Sequence, residues 1–390
     1  MKERLLLFFI IAVDFGLLFF VSSTLSISYY EADIFFNKQN AVHYLIKLSC
    51  ALFGQNDYAL RAPFIIIHIL STLLLYLISK PLLKRETDRI IAVLIYVMLP
   101  GTLVVSLAAN GAAFVVFGVL LFVYLYQNGK SLLMYALLVL SLFLGKGFMI
   151  LYLLLFFHAV AKRSTVIMIL SLALFAAGAY MYGFDIGGKP RGYFLDTFGV
   201  YAAIFSPFLF LYFIYTLYRI LVKGGKTLLW WLSCGAFIIS LLLSFRQRIA
   251  VEEFASYTII AAPLIVGTFM NSYKVRLPQF RKLHRFFGLL VVFSLVINSV
   301  LVLGNQYLYG FTKRNESHFA YKYHIAKELS LKLKARGITE VHTDDKKLAL
   351  RLKFYGIEDG KEFTLERSIM GDIEIIYGTT IIEKYALINK

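Results

Sequence analysis

Residues 29–63 read YYEADIFFNKQNAVHYLIKLSCALFGQNDYALRAP and lie between two long hydrophobic runs. Glu31 and Asp33 sit where the chain leaves the first run, and Arg61 stands at the start of the second. Between them, AVHYLIKLSCALF mixes apolar and polar residues as a segment lying along a membrane surface does. Two carboxylates beside such a segment make a polar site at a bilayer surface, where a lipid-borne head group would be presented. Arg61 is read as a structural cation, pairing with Asp57 or capping the surface segment.

Hydrophobic residues make up 59% of the 390-residue chain, against about 45–50% apolar in soluble domains. A crossing helix needs about 20 apolar residues. The sequence predicts about eleven such spans, at roughly 4–28, 60–83, 88–109, 111–127, 131–146, 148–162, 164–183, 198–222, 227–245, 254–272 and 286–306. The first is too long for a cleaved signal peptide, and SSTLSIS offers no convincing cleavage site. The expected fold is an all-α polytopic membrane protein over residues 1–308, with the juxtamembrane outer segment at 29–59, followed by a small α/β domain at 309–390.

The net charge of +17 is explained by orientation. Counting gaps from a cytoplasmic N-terminus puts roughly twice as many Lys and Arg inside as outside, as the positive-inside rule requires. Nucleic acid is therefore not expected as a partner, and the C-terminus is expected outside. Cys50 and Cys234 are too far apart in sequence to suggest a disulfide framework or a metal site.

Beyond Tyr309 the sequence turns charged and mixed. A helical stripe at Ile325, Leu329 and Leu333 ends at Gly337, and Asp344 or Asp345 caps a second helix ending at Gly356. ITEVHT, EFTLE, DIEIIYG and KYALIN read as strands. No nucleotide loop or metal-ligand spacing is present, and GGKPRG lacks the P-loop spacing.

Glu31 and Asp33 are either solvated boundary carboxylates or the base that accepts a hydroxyl proton. Lys146, flanked by glycines in LFLGKGFMI, is either a snorkelling lysine or a contact for a lipid phosphate. Lys189, Arg191, Arg246 and Arg248 are further outer cations, suited to phosphate or to Asp185, Glu252 and Glu253. Asp14 is an intramembrane acid with no obvious basic partner, and His68 and His158 read as packed histidines.

Residues 29–165 resemble the polytopic, lipid-dependent glycosyltransferases of the GT-C type, and more closely the branch holding the lipid A aminoarabinose transferase and the protein mannosyltransferases. The resemblance rests on Glu31-Ala32, on HYLIKLSCALFGQNDYALRAPF, on Pro100 and on Gly145-Lys146-Gly147. It implies an inverting enzyme of the bacterial cytoplasmic (inner) membrane, with a periplasmic C-terminal domain. Such an enzyme moves a sugar from a polyprenyl-phosphate donor to a lipid or glycan acceptor at the outer face. A divalent cation is compatible with that chemistry, and the sequence identifies no cofactor besides the polyprenyl-phosphate-sugar donor. The family's first outer loop carries Asp-Glu with the Asp as base, and Tyr30 stands at that Asp position here. Asn110 stands where the family's second outer loop carries an Asp. By the resemblance, Glu31 or Asp33 is the base, Asn110 positions a substrate, and Lys146, Lys189, Arg191, Arg246 and Arg248 are candidates to hold the donor phosphate. A non-catalytic homologue binding polyprenyl-linked glycans is the alternative, and a transporter or flippase a third.

Overall fold

The computed structural model describes residues 2–183, 192–312, 314–368, 370–378 and 380–389. Helices dominate: α1 (Lys2–Thr24), α2 (Tyr29–Phe36), α3 (Ala41–Phe53), α4 (Asp57–Leu82), α5 (Glu86–Met98), α6 (Pro100–Leu107), α7 (Ala112–Gln127), α8 (Ser131–Leu144) and α9 (Phe148–Lys162). They continue with α10 (Thr165–Tyr182), α11 (Phe194–Phe205), α12 (Pro207–Lys223), α13 (Leu228–Ser244), α14 (Val251–Thr258), α15 (Ala262–Val275) and α16 (Pro278–Leu303). The C-terminal part adds α17 (Ala326–Ala335), α18 (Lys346–Phe354) and strands β1 (Phe363–Arg367), β2 (Ile373–Tyr377) and β3 (Thr380–Asn389).

Among the described residues, five helical stretches are long and apolar enough to cross a membrane: Glu3–Thr24, α4, α10, Val251–Val275 and α16. The chain is a multi-pass membrane protein. Two bent pairs raise the number to seven, and both bends fall at a proline. α5 and α6 meet at 59° before Pro100, and α11 and α12 at 104° before Pro207. Proline has no N–H for the helical ladder and its ring crowds the preceding turn, so predicted spans 88–109 and 198–222 are each two helices. Five further apolar helices, α3, α7, α8, α9 and α13, have 10–17 residues, shorter than the ~20 of a typical crossing. The expected eleven thus resolve into unequal classes.

The chain packs as two compact units. The first comprises Met1–Phe15, Ile66–Ser106 and Asn110–Ser299, and the second Gly16–Ile65, Leu107–Ala109 and Val300–Lys390. This grouping follows packing, whereas the boundary expected at 308 followed composition.

In the first unit Val119, Phe122 and Val123 of α7 are buried in one core with Leu151, Phe213 and Phe237. Asp14 has a partner after all: its Oδ2 lies 2.8 Å from His68 Nε2, with both side chains buried. Tyr96 stacks on the His68 ring at 5.7 Å. Residues 54 apart along the chain carry no local signal of such a pair.

In the second unit, β1–β3 form an antiparallel sheet in the order β1-β3-β2. Ile373, Ile375 and Tyr377 alternate into the core, where they meet Ala326, Leu329 and Leu333 of α17. Asp345 caps α18, accepting from the Lys347 and Leu348 amides. Gly337 and Gly356 take positive φ after α17 and α18, as their positions predict. ITEVHT instead forms only isolated bridges, Glu340 to Glu358 and His342 to Thr364.

His324 is fully buried in this core, its Nδ1 2.7 Å from the Tyr309 hydroxyl. Burial, with His318 and Arg351 nearby, lowers its pKa from 6.5 to about 3. The folded protein therefore keeps His324 neutral while the unfolded chain takes up a proton below pH 6.5. Stability contributed by the neutral ring is present above that value and is lost as pH falls toward 3. Hydrogen exchange in α17 should accelerate between pH 7 and 4, after correction for intrinsic rates, and His324→Phe should flatten that dependence. An equally steep profile in the variant would assign the acid sensitivity elsewhere.

Candidate functional site

The sequence from Ser28 makes α2 start where it does. Ser28 Oγ accepts from the Glu31 amide at 3.3 Å, and Glu31 Oε2 accepts from the Ser28 amide at 2.8 Å. This reciprocal capping box turns the Glu31 side chain back into the protein, where the residue is 2% exposed. Glu31 Oε1 accepts from the Ala109 amide at 2.9 Å. Oε2 also accepts from Arg61 Nη2 at 3.3 Å. Glu31 is thus an internal carboxylate held by three donors rather than a solvated one.

Arg61 is the other half of that pair and is completely buried. Its Nε donates to Leu107 O at 2.9 Å. Nη1 donates to Leu25 O at 2.9 Å and Ser22 O at 3.3 Å, and Nη2 to Ser26 O at 2.9 Å as well as to Glu31. A guanidinium has five N–H donors, and these five acceptors engage them. Asp57 Oδ1 stands 3.7 Å from Nη1, so the pairing read from sequence is present alongside the one with Glu31. Asp57 also accepts from the Tyr355 hydroxyl at 2.6 Å and pairs with Lys327 at 2.9 Å. Two cations, Arg61 and Lys327, thus balance two carboxylates, Glu31 and Asp57.

The same network ties α2 to the C-terminal helices within the second unit. Tyr355 OH accepts from the Ile27 amide, and Arg351 Nε donates to Ile27 O at 2.8 Å. Phe354 packs edge-on against Phe35 at 5.2 Å. α3 buries Val42, Ile46, Ser49 and Cys50 while Tyr44, Leu48 and Leu52 remain exposed on its other face.

Asp33 differs from Glu31. It is half-buried on α2, with Oδ1 accepting from Asn37 Nδ2 at 2.9 Å and Oδ2 3.3 Å from Lys38 Nζ. The Asn37 hydrogen bond, opposed by partial burial and assisted by Lys38, lowers its pKa below the ordinary carboxylate value. It is the ionised carboxylate of this segment that remains accessible.

In the first unit, Gly145 has φ +150°, a conformation suited to glycine. A Cβ on Gly147 would meet Val115 at 2.7 Å. Tyr257 OH donates to Gly147 O at 2.7 Å and accepts from the Leu151 amide at 3.1 Å. Four residues earlier on α14, Glu253 pairs with Lys146 at 3.0 Å. The same face of one helix thus fixes the glycine turn and its lysine. Arg246 and Arg248 are exposed in the turn leading into α14. Asn110 Oδ1 accepts from the Ala112 amide at 2.9 Å, fixing the start of α7. Lys189, Arg191 and Asp185 lie outside the described residues. No cluster of metal-binding side chains occurs among the described residues.

Sequence reasoning missed the Glu31–Arg61 pair and the Lys146–Glu253 pair. A signal for the first existed: an arginine opening a hydrophobic run is costly without partners.

The family model of the dolichyl-phosphate-mannose-protein mannosyltransferases matches residues 40–182, from the start of α3 to the end of α10. The match takes in Arg61, Asn110 and the Gly145–Gly147 turn and covers just over a third of the chain. No curated protein matches the chain.

Replacing Arg61 by Met would leave buried carboxylates and carbonyls without their donor, a loss of about 3–5 kcal/mol for such pairs. Arg61→Lys should rescue little, since an ammonium cannot span the fork of acceptors. Thermal unfolding in detergent should show both variants far below the wild type; unchanged melting would refute the network's role.

Proposed function

We propose that the chain is a membrane glycosyltransferase that moves a sugar from a polyprenyl-phosphate donor to a lipid or glycan acceptor at the outer membrane face. The single observation that carries this reading is the match of residues 40–182 to the dolichyl-phosphate-mannose-protein mannosyltransferase model. In the proposed reaction an acceptor hydroxyl attacks the anomeric carbon, the bond from that carbon to the phosphate oxygen breaks, and polyprenyl phosphate leaves. Asp33 accepts the hydroxyl proton, because its carboxylate is ionised and accessible. Glu31 is a positioning residue, since its oxygens are occupied by the Ser28, Ala109 and Arg61 donors. Asn110 orders the start of α7, and Lys146 with Arg246 and Arg248 supplies cations for the donor phosphate. The inner-membrane location, the outward C-terminal domain and the inverting outcome belong to the same proposal.

A second reading, a non-catalytic protein that binds polyprenyl-linked glycans, is favoured by Tyr30 at the position of the family's aspartate and by the commitment of Glu31 to Arg61.

The test is mass spectrometry of envelope glycolipids and glycoproteins after deletion of the gene from its host. One sugar should disappear, wild type should restore it, and Asp33→Asn and Lys146→Met should restore little while still inserting in the membrane. Full restoration by both variants would remove these roles, and an unchanged glycan profile on deletion would favour the second reading. Because the Asp33 pKa is lowered, the base stays ionised at neutral pH and is lost only as pH falls through that depressed value. The acid limb of the transfer rate should accordingly lie below the usual carboxylate range. A limb near pH 6 to 7, measured on reconstituted protein, would point to another base.

A further inference from the structure

The second unit contains a cleft of about 720 Å³ that the transfer chemistry above does not use. Its size falls in the range of about 300–1,000 Å³ typical of small-molecule sites. One wall is the start of α2, where Tyr29 and Tyr30 pair edge to face at 5.8 Å. Tyr30 is 58% exposed, with Lys322 5.2 Å from its ring centre, while Lys347 lies 5.6 Å from that of Tyr29. Asp344 and Asp345, at the beginning of α18, line the cleft as well.

The opposite wall is built around a buried acid. The Glu383 side chain is 3% exposed and pairs with Arg367 at 3.0 Å, and the hydroxyls of Tyr321 and Tyr385 donate to it. Burial first, and then the Glu383 charge, raises the pKa of both phenols well above the ordinary value. Both therefore remain neutral hydrogen-bonding groups. Ile325, also lining the cleft, has φ +80°, a strained conformation for a β-branched residue of the kind concentrated at binding sites.

The chemistry of this lining selects among ligands. Carboxylates slightly outnumber cations around it, so a polyanion or an isolated phosphate meets little net attraction. The lining is too polar for an acyl or prenyl chain. The exposed Tyr30 ring, next to donors and acceptors of both signs, suits a molecule with C–H faces and many hydroxyls. We propose that this cleft binds a saccharide, stacked on Tyr30 and hydrogen-bonded by Lys322, Lys347 and Asp344. Resting on the glycosyltransferase reading, the bound saccharide is the glycan portion of the acceptor.

The test uses the full chain in lipid nanodiscs on an array of neutral, amino-sugar and uronic-acid oligosaccharides. Wild type should retain a defined subset. Tyr30→Ala should weaken that binding at least tenfold and Tyr30→Phe should preserve it, because stacking needs the ring and not the hydroxyl. No retained saccharide, equal binding by Tyr30→Ala, or displacement by millimolar inorganic phosphate would each overturn the proposal. Donor turnover is measured in parallel. Turnover without saccharide binding refutes the cleft and leaves the enzyme reading intact, whereas saccharide binding without turnover supports the cleft and refutes the enzyme reading.

Discussion

A guanidinium buried near a membrane boundary must find a partner for every N–H, and in this chain that requirement organises the second unit. Arg61 gathers carbonyls from Ser22, Leu25, Ser26 and Leu107 together with the Glu31 carboxylate. These groups come from the end of α1, the start of α2 and the segment before α7. Asp57 extends the network through Tyr355 and Lys327 to the C-terminal helices. The α/β part is therefore joined to the juxtamembrane segment by buried polar contacts rather than trailing as an independent appendage. A buried ion pair does not by itself add much stability, but removing one partner is costly, so its main effect is to specify one arrangement.

That arrangement separates two acids that the sequence places two residues apart. Glu31 turns inward through its capping box and is held by three donors, whereas Asp33 stays near solvent with Asn37 and Lys38. The helical offset between the two positions puts one acid in the interior and leaves the other near solvent. In the first unit a comparable device acts on Lys146: Glu253 holds its ammonium and Tyr257 holds the adjacent glycine carbonyl. An ordered, half-exposed cation suits the proposed contact with a phosphate.

Local rules read the C-terminal region well. Asp345, Gly337, Gly356 and the alternation in DIEIIYG announced α17, α18 and the sheet, because caps, positive-φ glycines and period-two patterns act within a few residues. Hydropathy identified the membrane helices but joined two pairs across Pro100 and Pro207, since composition averages over a backbone break. The pairs Glu31–Arg61, Asp14–His68 and Lys146–Glu253 were not legible in advance. Each joins residues at least 30 positions apart, and only tertiary packing brings them together. The cleft beside Tyr29 and Tyr30 was hidden for the same reason, as its walls are drawn from α2, α18 and the sheet.

As proposed, the protein turns over a polyprenyl-phosphate sugar rather than merely binding one. The most direct measurement follows a radiolabelled polyprenyl-phosphate sugar incubated with purified full-length protein in nanodiscs and an extract of host acceptors. Free polyprenyl phosphate should appear in step with label entering the acceptor fraction. Donor that binds the protein and is recovered intact, with no label transferred, would contradict it.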